Sequence, residues 1–185
     1  TESQLHRQLA SGLSMPIGFK NGTGGSIDIA FDAIFSASNP HVFLGINENS
    51  KSIIIETKGN PNLHIILRGG KNSPNYYPEC ISQVLLEAKR RNLKEKVMVD
   101  MSHSNSQKNH KNQSLVCDSI CNQIKRGNEN IFGVMIESNI NEGKQKLISK
   151  NNLKWGVSIT DACINIKDTD ILLQNLFLAV NNRFE

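Results

Sequence analysis

The stretch "VMVDMSHSNSQKNH", residues 97–110, decides the fold. Val97, Met98, Val99 and Met101 have no polar face apart from Asp100, so the run reads as a buried strand. It breaks abruptly into Ser102, His103, Ser104, Asn105 and Ser106, a histidine among small hydrogen-bonding residues. Such a histidine is a surface accident, a satisfied structural residue, or a ligand.

Working outward, the same pattern recurs. "MPIGFKN" (15–21), "LHIILRGG" (63–70) and "IFGVMIES" (131–138) are short apolar runs that end in polar or charged residues. Between them lie segments of helical period. "QLHRQLA" (4–10) ends a helix closed by Gly12, and "SIDIAFDAIFSA" (26–37) is an amphipathic helix with Ser26 at its N-cap. "PECISQVLLEAKRRN" (78–92) starts at Pro78, a further helix runs over 113–126, and the last runs over 168–181, capped by Asp168 or Thr169. "HVFLGI" (41–46) and "SIIIET" (52–57) form a hairpin. A polar, mobile insertion (139–155) precedes "VSITDACI" (157–164), a further short apolar segment.

Leaving the hairpin aside, strands alternate with helices, and the uniformly apolar strands call for a parallel sheet covered on both faces. The fold class is α/β. Two architectures fit, an open doubly wound sheet or part of a (β/α)8 barrel. A complete barrel takes about 250 residues, so a chain of 185 residues supplies about half of one.

Composition narrows the function. Hydrophobic residues make up 38% and charged residues 21%, as in ordinary soluble domains. The net charge of +4 comes from dispersed lysines and arginines, and aromatics are only 5%, which speaks against nucleic-acid binding. No apolar run approaches the ~20 residues of a membrane span. Cys80, Cys117, Cys121 and Cys163 contain no CxxC pair and read as free thiols of a reducing, cytoplasmic compartment.

Each strand ends in a residue with chemical capacity: Lys20, then Arg68, then His103, then Glu137, with Asp161 in the segment beyond. Ligands of parallel α/β folds bind at the carboxyl ends of strands, so these side chains are expected to converge. Lys20 and Arg68 are fixed cations beside glycines, suited to phosphate or carboxylate. His103, Glu137 and Asp161 form an N,O,O set suited to a divalent metal. Singly, each has a commoner structural reading: surface cation, helix cap or turn cap. Their recurrence at every strand end is what favours a site. His110, His6, His41 and His64 are read as ordinary histidines. "NGTGG" and "RGGK" match neither a P-loop nor a GxGxxG fingerprint.

Taken together, "PIGFKNGTGG", "HIILRGGKNSPNY", "MVDMSHSNSQK", "GVMIES" and "SITDACI" resemble the C-terminal half of the type I 3-deoxy-D-arabino-heptulosonate 7-phosphate (DAHP) synthases, the phospho-2-dehydro-3-deoxyheptonate aldolases. The likeness covers essentially the whole chain. It implies half of a (β/α)8 TIM barrel with an added hairpin at 41–57. It also implies a transferase that condenses phosphoenolpyruvate with erythrose 4-phosphate, releases phosphate and opens the shikimate pathway to aromatic amino acids. By position, Lys20, Arg68 and His103 would bind phosphoenolpyruvate, with Lys20 and His103 catalytic. His103, Glu137 and Asp161 would be three of four ligands to manganese, iron or cobalt.

The resemblance carries further expectations. The fourth ligand, a cysteine, and a KPRTS-type segment belong to an N-terminal half that this chain lacks, and none of its four cysteines matches that ligand. The missing half is therefore an expected partner, and the half barrel alone is expected to be inactive. A homo-oligomer, dimer or tetramer, is expected as well. Feedback inhibition points to Ser14, Phe43, Leu44 and Gly45 as an effector site. Room beside Gly45, where phenylalanine-sensitive relatives carry serine, points to tyrosine. Alternative readings are a 3-deoxy-D-manno-octulosonate 8-phosphate synthase-like enzyme and a non-catalytic regulatory half that binds an aromatic amino acid.

Overall fold

The computed structural model describes residues 2–71 and 73–183. In chain order the elements are α1 (Gln4–Ser11), β1 (Ile17–Lys20), α2 (Asp28–Ser38), β2 (Val42–Ile46), β3 (Ser52–Glu56), β4 (Leu63–Leu67), α3 (Pro78–Arg90), β5 (Val97–Asp100), α4 (Gln113–Lys125), β6 (Ile131–Met135) and α5 (Ile166–Asn181). Short 3-10 turns lie at His110–Asn112 and Lys150–Asn152.

β1, β4, β5 and β6 pair in that order as one parallel sheet, with Phe19 opposite Ile65, Ile65 opposite Val97, and Val99 opposite Val134. β2 and β3 form the expected antiparallel hairpin. The strand order follows the chain without reversal, so the sheet has no topological switch point. Right-handed crossovers then put every connecting helix on the same side. That removes the doubly wound alternative.

The two faces of the sheet differ accordingly. Leu63, Ile65, Leu67, Val97, Val99 and Ile131 are buried with Phe31, Ile81, Val116 and Ile120 of the helices. Each such side chain contributes about 1.5–3 kcal/mol. The opposite face carries Gly18, His64 and Phe132, and the His64 and Phe132 rings meet edge to face at 4.7 Å. Gly18 is required there, because a Cβ would lie 2.6 Å from His64 Nε2 and collide with Ile66. Burial holds the His64 imidazole below its ordinary pKa of 6.5.

Asparagines lock the loops that follow the strands. Asn21 Oδ1 accepts from Arg68 N (2.8 Å), and its amide donates to Gly69 O (3.0 Å). Asn75 Oδ1 accepts from Gly69 N (2.7 Å). Asn105, buried, donates to Leu67 O (3.0 Å) and Asp100 O (2.8 Å) and accepts from Asn75 N (2.9 Å). Three successive strand ends are thereby held in fixed relation.

Several local expectations need correction. α5 begins at Ile166 and is capped by Asn165, whose Oδ1 accepts from Asp168 N, because Asn165 is the residue still in extended conformation. Ile27, not Ser26, holds the N-cap position of α2, although Ser26 Oγ still accepts from Asp28 N at 3.3 Å. Segment 157–164, the further short apolar segment, forms isolated bridges at Ser158, Cys163 and Ile164. Insertion 139–155 is pinned by its own side chains: Asn141 donates to Trp155 O and Gln145 donates to Lys154 O and Val157 O. The four cysteines are free, and no described helix is long and apolar enough to cross a membrane.

Two outcomes are expected. Asn105→Ala leaves buried carbonyls unpaired at about 1–3 kcal/mol each, so urea unfolding should show a loss of about 3 kcal/mol. Because the folded state holds His64 deprotonated to lower pH than the unfolded chain does, its contribution is complete above about pH 6.5 and is lost as pH falls through that value. The drop in urea midpoint between about pH 7.5 and about pH 5.5 should be smaller in His64→Gln. An equal drop in both proteins would exclude the histidine as its source.

Candidate active site

The loop after β5 builds the centre of the site. His103 has φ +49°, a left-handed conformation that a non-glycine residue adopts only when its surroundings hold it. Its carbonyl accepts from Lys108 N (2.7 Å) and Ser106 Oγ (3.2 Å), and Gln107 and Lys108 are left-handed too. This turn brings the imidazole back over the end of the strand it has just left.

There it meets Asp100, whose side chain has no exposed surface. Asp100 Oδ1 accepts from Ser102 N (2.9 Å). Asp100 Oδ2 lies 2.9 Å from Lys20 Nζ and 2.8 Å from His103 Nδ1. The lysine contact is a hydrogen bond, whereas the histidine contact is close but out of line for one. The sequence reading passed over Asp100 as the polar exception in an apolar strand. Its signal was that position, since a carboxylate among core residues requires a charged partner.

His103 Nε2 points the other way, to Glu137 Oε1 at 3.3 Å and Asp161 Oδ2 at 3.7 Å. One ligand atom from each of His103, Glu137 and Asp161 lies within 4.8 Å of the others. Glu137 is held by a reciprocal pair with the buried Gln113: Glu137 N donates to Gln113 Oε1 (2.9 Å) and Gln113 Nε2 donates to Glu137 O (3.0 Å). Gln113 is a second positioning residue the sequence reading missed, because a helix-start glutamine carries no signal of its own. Ile164 N donates to Glu137 O (3.0 Å) and so hangs the Asp161 loop on the end of β6.

Burial raises the Glu137 pKa, and the Asp161 and Asp100 charges add to the rise, while His103 and Lys20 oppose it. Three acceptors crowded around one point repel until a cation joins them. One imidazole nitrogen and two carboxylate oxygens suit a divalent transition metal. The donor set therefore fits such an ion.

Arg68, His103 and Asp161 line one cleft of about 400 Å³, with Ser102, Lys108, His110, Lys144 and Ala162. Arg68 is half-buried and has no ion-pair partner among the described residues, so its charge is available to an anion. Lys20 reaches the same region through Asp100. His110, read as ordinary, also faces this cleft, with Nε2 3.5 Å from Glu142 Oε2. Of the loop's small residues, Ser102 and Asn105 support Asp100 directly, and Ser104 N donates to Arg68 O (3.1 Å).

The proposed effector residues lie apart from this cleft. Ser14 is exposed, and its segment is tied to the hairpin root through Ser11 Oγ and Thr57 Oγ1 (2.7 Å) and through Asn60, whose amide donates to Met15 O (3.0 Å). Phe43 is half-buried and Leu44 is exposed. The room expected beside Gly45 is absent: a Cβ there would collide with Ile55 and lie 2.8 Å from its Cγ1. The end of the Ile55 side chain, diagonal to Gly45 on the facing strand, takes up that space, so the glycine by itself leaves no preformed room for tyrosine.

Comparison with known proteins places the chain in a family. The chain is 48% identical over 184 residues to the Tyr-sensitive phospho-2-dehydro-3-deoxyheptonate aldolase of Escherichia coli, covering 99% of this chain and 51% of that protein. It is 51% identical over 183 residues to the Phe-sensitive enzyme of the same organism, covering 99% and 52%. A phospho-2-dehydro-3-deoxyheptonate aldolase structure from Francisella tularensis superposes with a TM-score of 0.93 at 47% identity, over 98% of this chain and 53% of that one. The chain thus spans about half the length of the curated relatives it matches. With residues 1–174 matching its pattern, the chain belongs to the DAHP synthetase I family.

Proposed function

We propose that this chain is the metal- and phosphoenolpyruvate-binding half of a DAHP synthase, closed into a (β/α)8 barrel by an N-terminal half supplied outside these 185 residues. The observation that carries this reading is the meeting of His103, Glu137 and Asp161, with Arg68 in the same cleft and Lys20 joined to His103 through Asp100, beyond the carboxyl ends of the parallel sheet. Support for the closure comes from the unreversed strand order and from β1 and β6, which have no further strand partner among the described residues. A further support is apolar surface at Phe132 and along α5 at Ile171, Leu173 and Phe177, which a second half would cover.

In this reading Lys20 and Arg68 bind the phosphoenolpyruvate anion with charge-assisted hydrogen bonds. His103, Glu137 and Asp161 hold manganese, iron or cobalt, with a fourth ligand from the completing half. When bound, that metal supplies Lewis-acid polarisation of the erythrose 4-phosphate aldehyde. Gln113 fixes the backbone that carries Glu137, and Asn105 that of Asp100, whose carboxylate Ser102 N holds, so the donors are oriented before ligands arrive. The asparagine locks keep Arg68 and His103 in register as the substrates meet.

Regulation belongs to the same proposal. An aromatic amino acid binds where the segment at Ser14 meets the hairpin, as the Tyr-sensitive and Phe-sensitive relatives suggest by name. Which aromatic acid is best recognised is open to titration, since Gly45 no longer favours tyrosine. Exposed Val42, Leu44, Ile46 and Ile54 on the hairpin support burial against further chains in a homo-oligomer. The free thiols fit a reducing cytoplasm.

Joined to its completing half, the protein should release phosphate from phosphoenolpyruvate with erythrose 4-phosphate and not with arabinose 5-phosphate. Turnover with arabinose 5-phosphate alone would assign it to the octulosonate reaction, and binding of an aromatic amino acid without turnover would assign a regulatory role. Glu137→Gln should weaken Mn²⁺ binding at least ~10-fold by titration calorimetry. Arg68→Ala should weaken phosphoenolpyruvate binding ~10- to 100-fold while Mn²⁺ affinity stays the same.

A further inference from the structure

Asp100 is the most buried charged group of the site, yet it belongs neither to the metal trio nor to the pair that faces the anion. Its geometry is restrictive. Oδ1 is committed to Ser102 N, so the carboxylate cannot turn away from its neighbours. Asn105 grips the carbonyl of the same residue, so the backbone cannot shift either. Lys20 Nζ and His103 Nδ1 therefore share a single oxygen, Oδ2, at 2.9 and 2.8 Å.

We propose that Asp100 is a positioning residue that couples the two ligands: by sharing Oδ2 between Lys20 and His103, it makes anion binding and metal binding reinforce each other. This rests on the function proposed above. Lys20 is about one-third exposed and free to lean toward an incoming anion, whereas Asp100 is sealed. As Lys20 gives part of its charge to the anion, more of the Asp100 negative potential falls on His103 Nδ1. A carboxylate only accepts, so it selects the tautomer with hydrogen on Nδ1 and the lone pair on Nε2. Nε2 is the atom that faces Glu137 and Asp161. A tighter Nδ1–H contact makes Nε2 the stronger donor to a metal. The present contact is close but out of line, so it has room to tighten.

The coupling is reciprocal by thermodynamic necessity. A cation on Nε2 draws density from the ring, strengthens the hold of Nδ1–H on Oδ2, and loosens Lys20 for the anion. Neutralising Asp100 while keeping its shape should leave both ligands able to bind and remove their mutual effect.

The test uses the protein joined to its completing half, with Mn²⁺ followed by electron paramagnetic resonance and phosphoenolpyruvate by calorimetry. In the wild type, saturating phosphoenolpyruvate should tighten Mn²⁺ at least ~5-fold, and Mn²⁺ should tighten phosphoenolpyruvate by the same factor. In Asp100→Asn both should bind, with a factor near ~1. A factor unchanged in that variant would overturn the proposal and place the coupling in direct contact between metal and anion. A wild type that binds neither ligand would overturn the underlying function instead. The second measurement needs no variant. With Zn²⁺ bound, phosphoenolpyruvate should move the ¹⁵N-resolved His103 Nδ1 proton downfield, and an unmoved resonance would count decisively against the shared oxygen.

Discussion

Asp100 carries a negative charge with no exposed surface, and the open end of the sheet is arranged around it. A buried carboxylate is tolerated only when charge and hydrogen bonds compensate it fully. Ser102 N and Lys20 Nζ bond it, and His103 Nδ1 lies close beside the oxygen that Lys20 holds. They come from the end of β1, from the turn after β5, and from a residue held left-handed. Satisfying one charge thus fixes both the cation that faces an anion and the imidazole that faces the metal trio.

A second layer of polar locks makes this possible. Asn21, Asn75 and Asn105 replace the ladder hydrogen bonds that end with the strands, so the loops stay in register where regular structure has stopped. Gln113 does the same for Glu137 from the start of α4. Amide side chains suit this work because each offers both a donor and an acceptor to backbone groups. The sheet beneath is held differently, by apolar packing of one face against helices. Rigidity comes from the core, and aim comes from the amides.

Much of this was legible from residue types. The apolar runs at 17–20, 63–67, 97–100 and 131–135 are strands, and the helical stripes lie where their spacing put them. Lys20, Arg68, His103 and Glu137 converge because parallel strands deliver their carboxyl ends to one side, and Asp161 joins them on a loop hung from the end of β6. The illegible parts were those that depend on neighbours distant in sequence. Gly45 looked like vacated space and is instead a place filled by Ile55 from the opposite strand. Gln113 bears no local mark of function, because its partner Glu137 lies in another element.

The sequence by itself determined the class of fold, the register of apolar faces and the chemical types standing at the strand ends, since periodicity and residue chemistry are local properties. Only the tertiary structure decided that Lys20 and His103 share one oxygen, that Gln113 grips Glu137, and that the hairpin closes over Gly45. Those are distances between residues far apart in the chain, set by how the sheet orders its strands and by the need to leave no buried charge uncompensated.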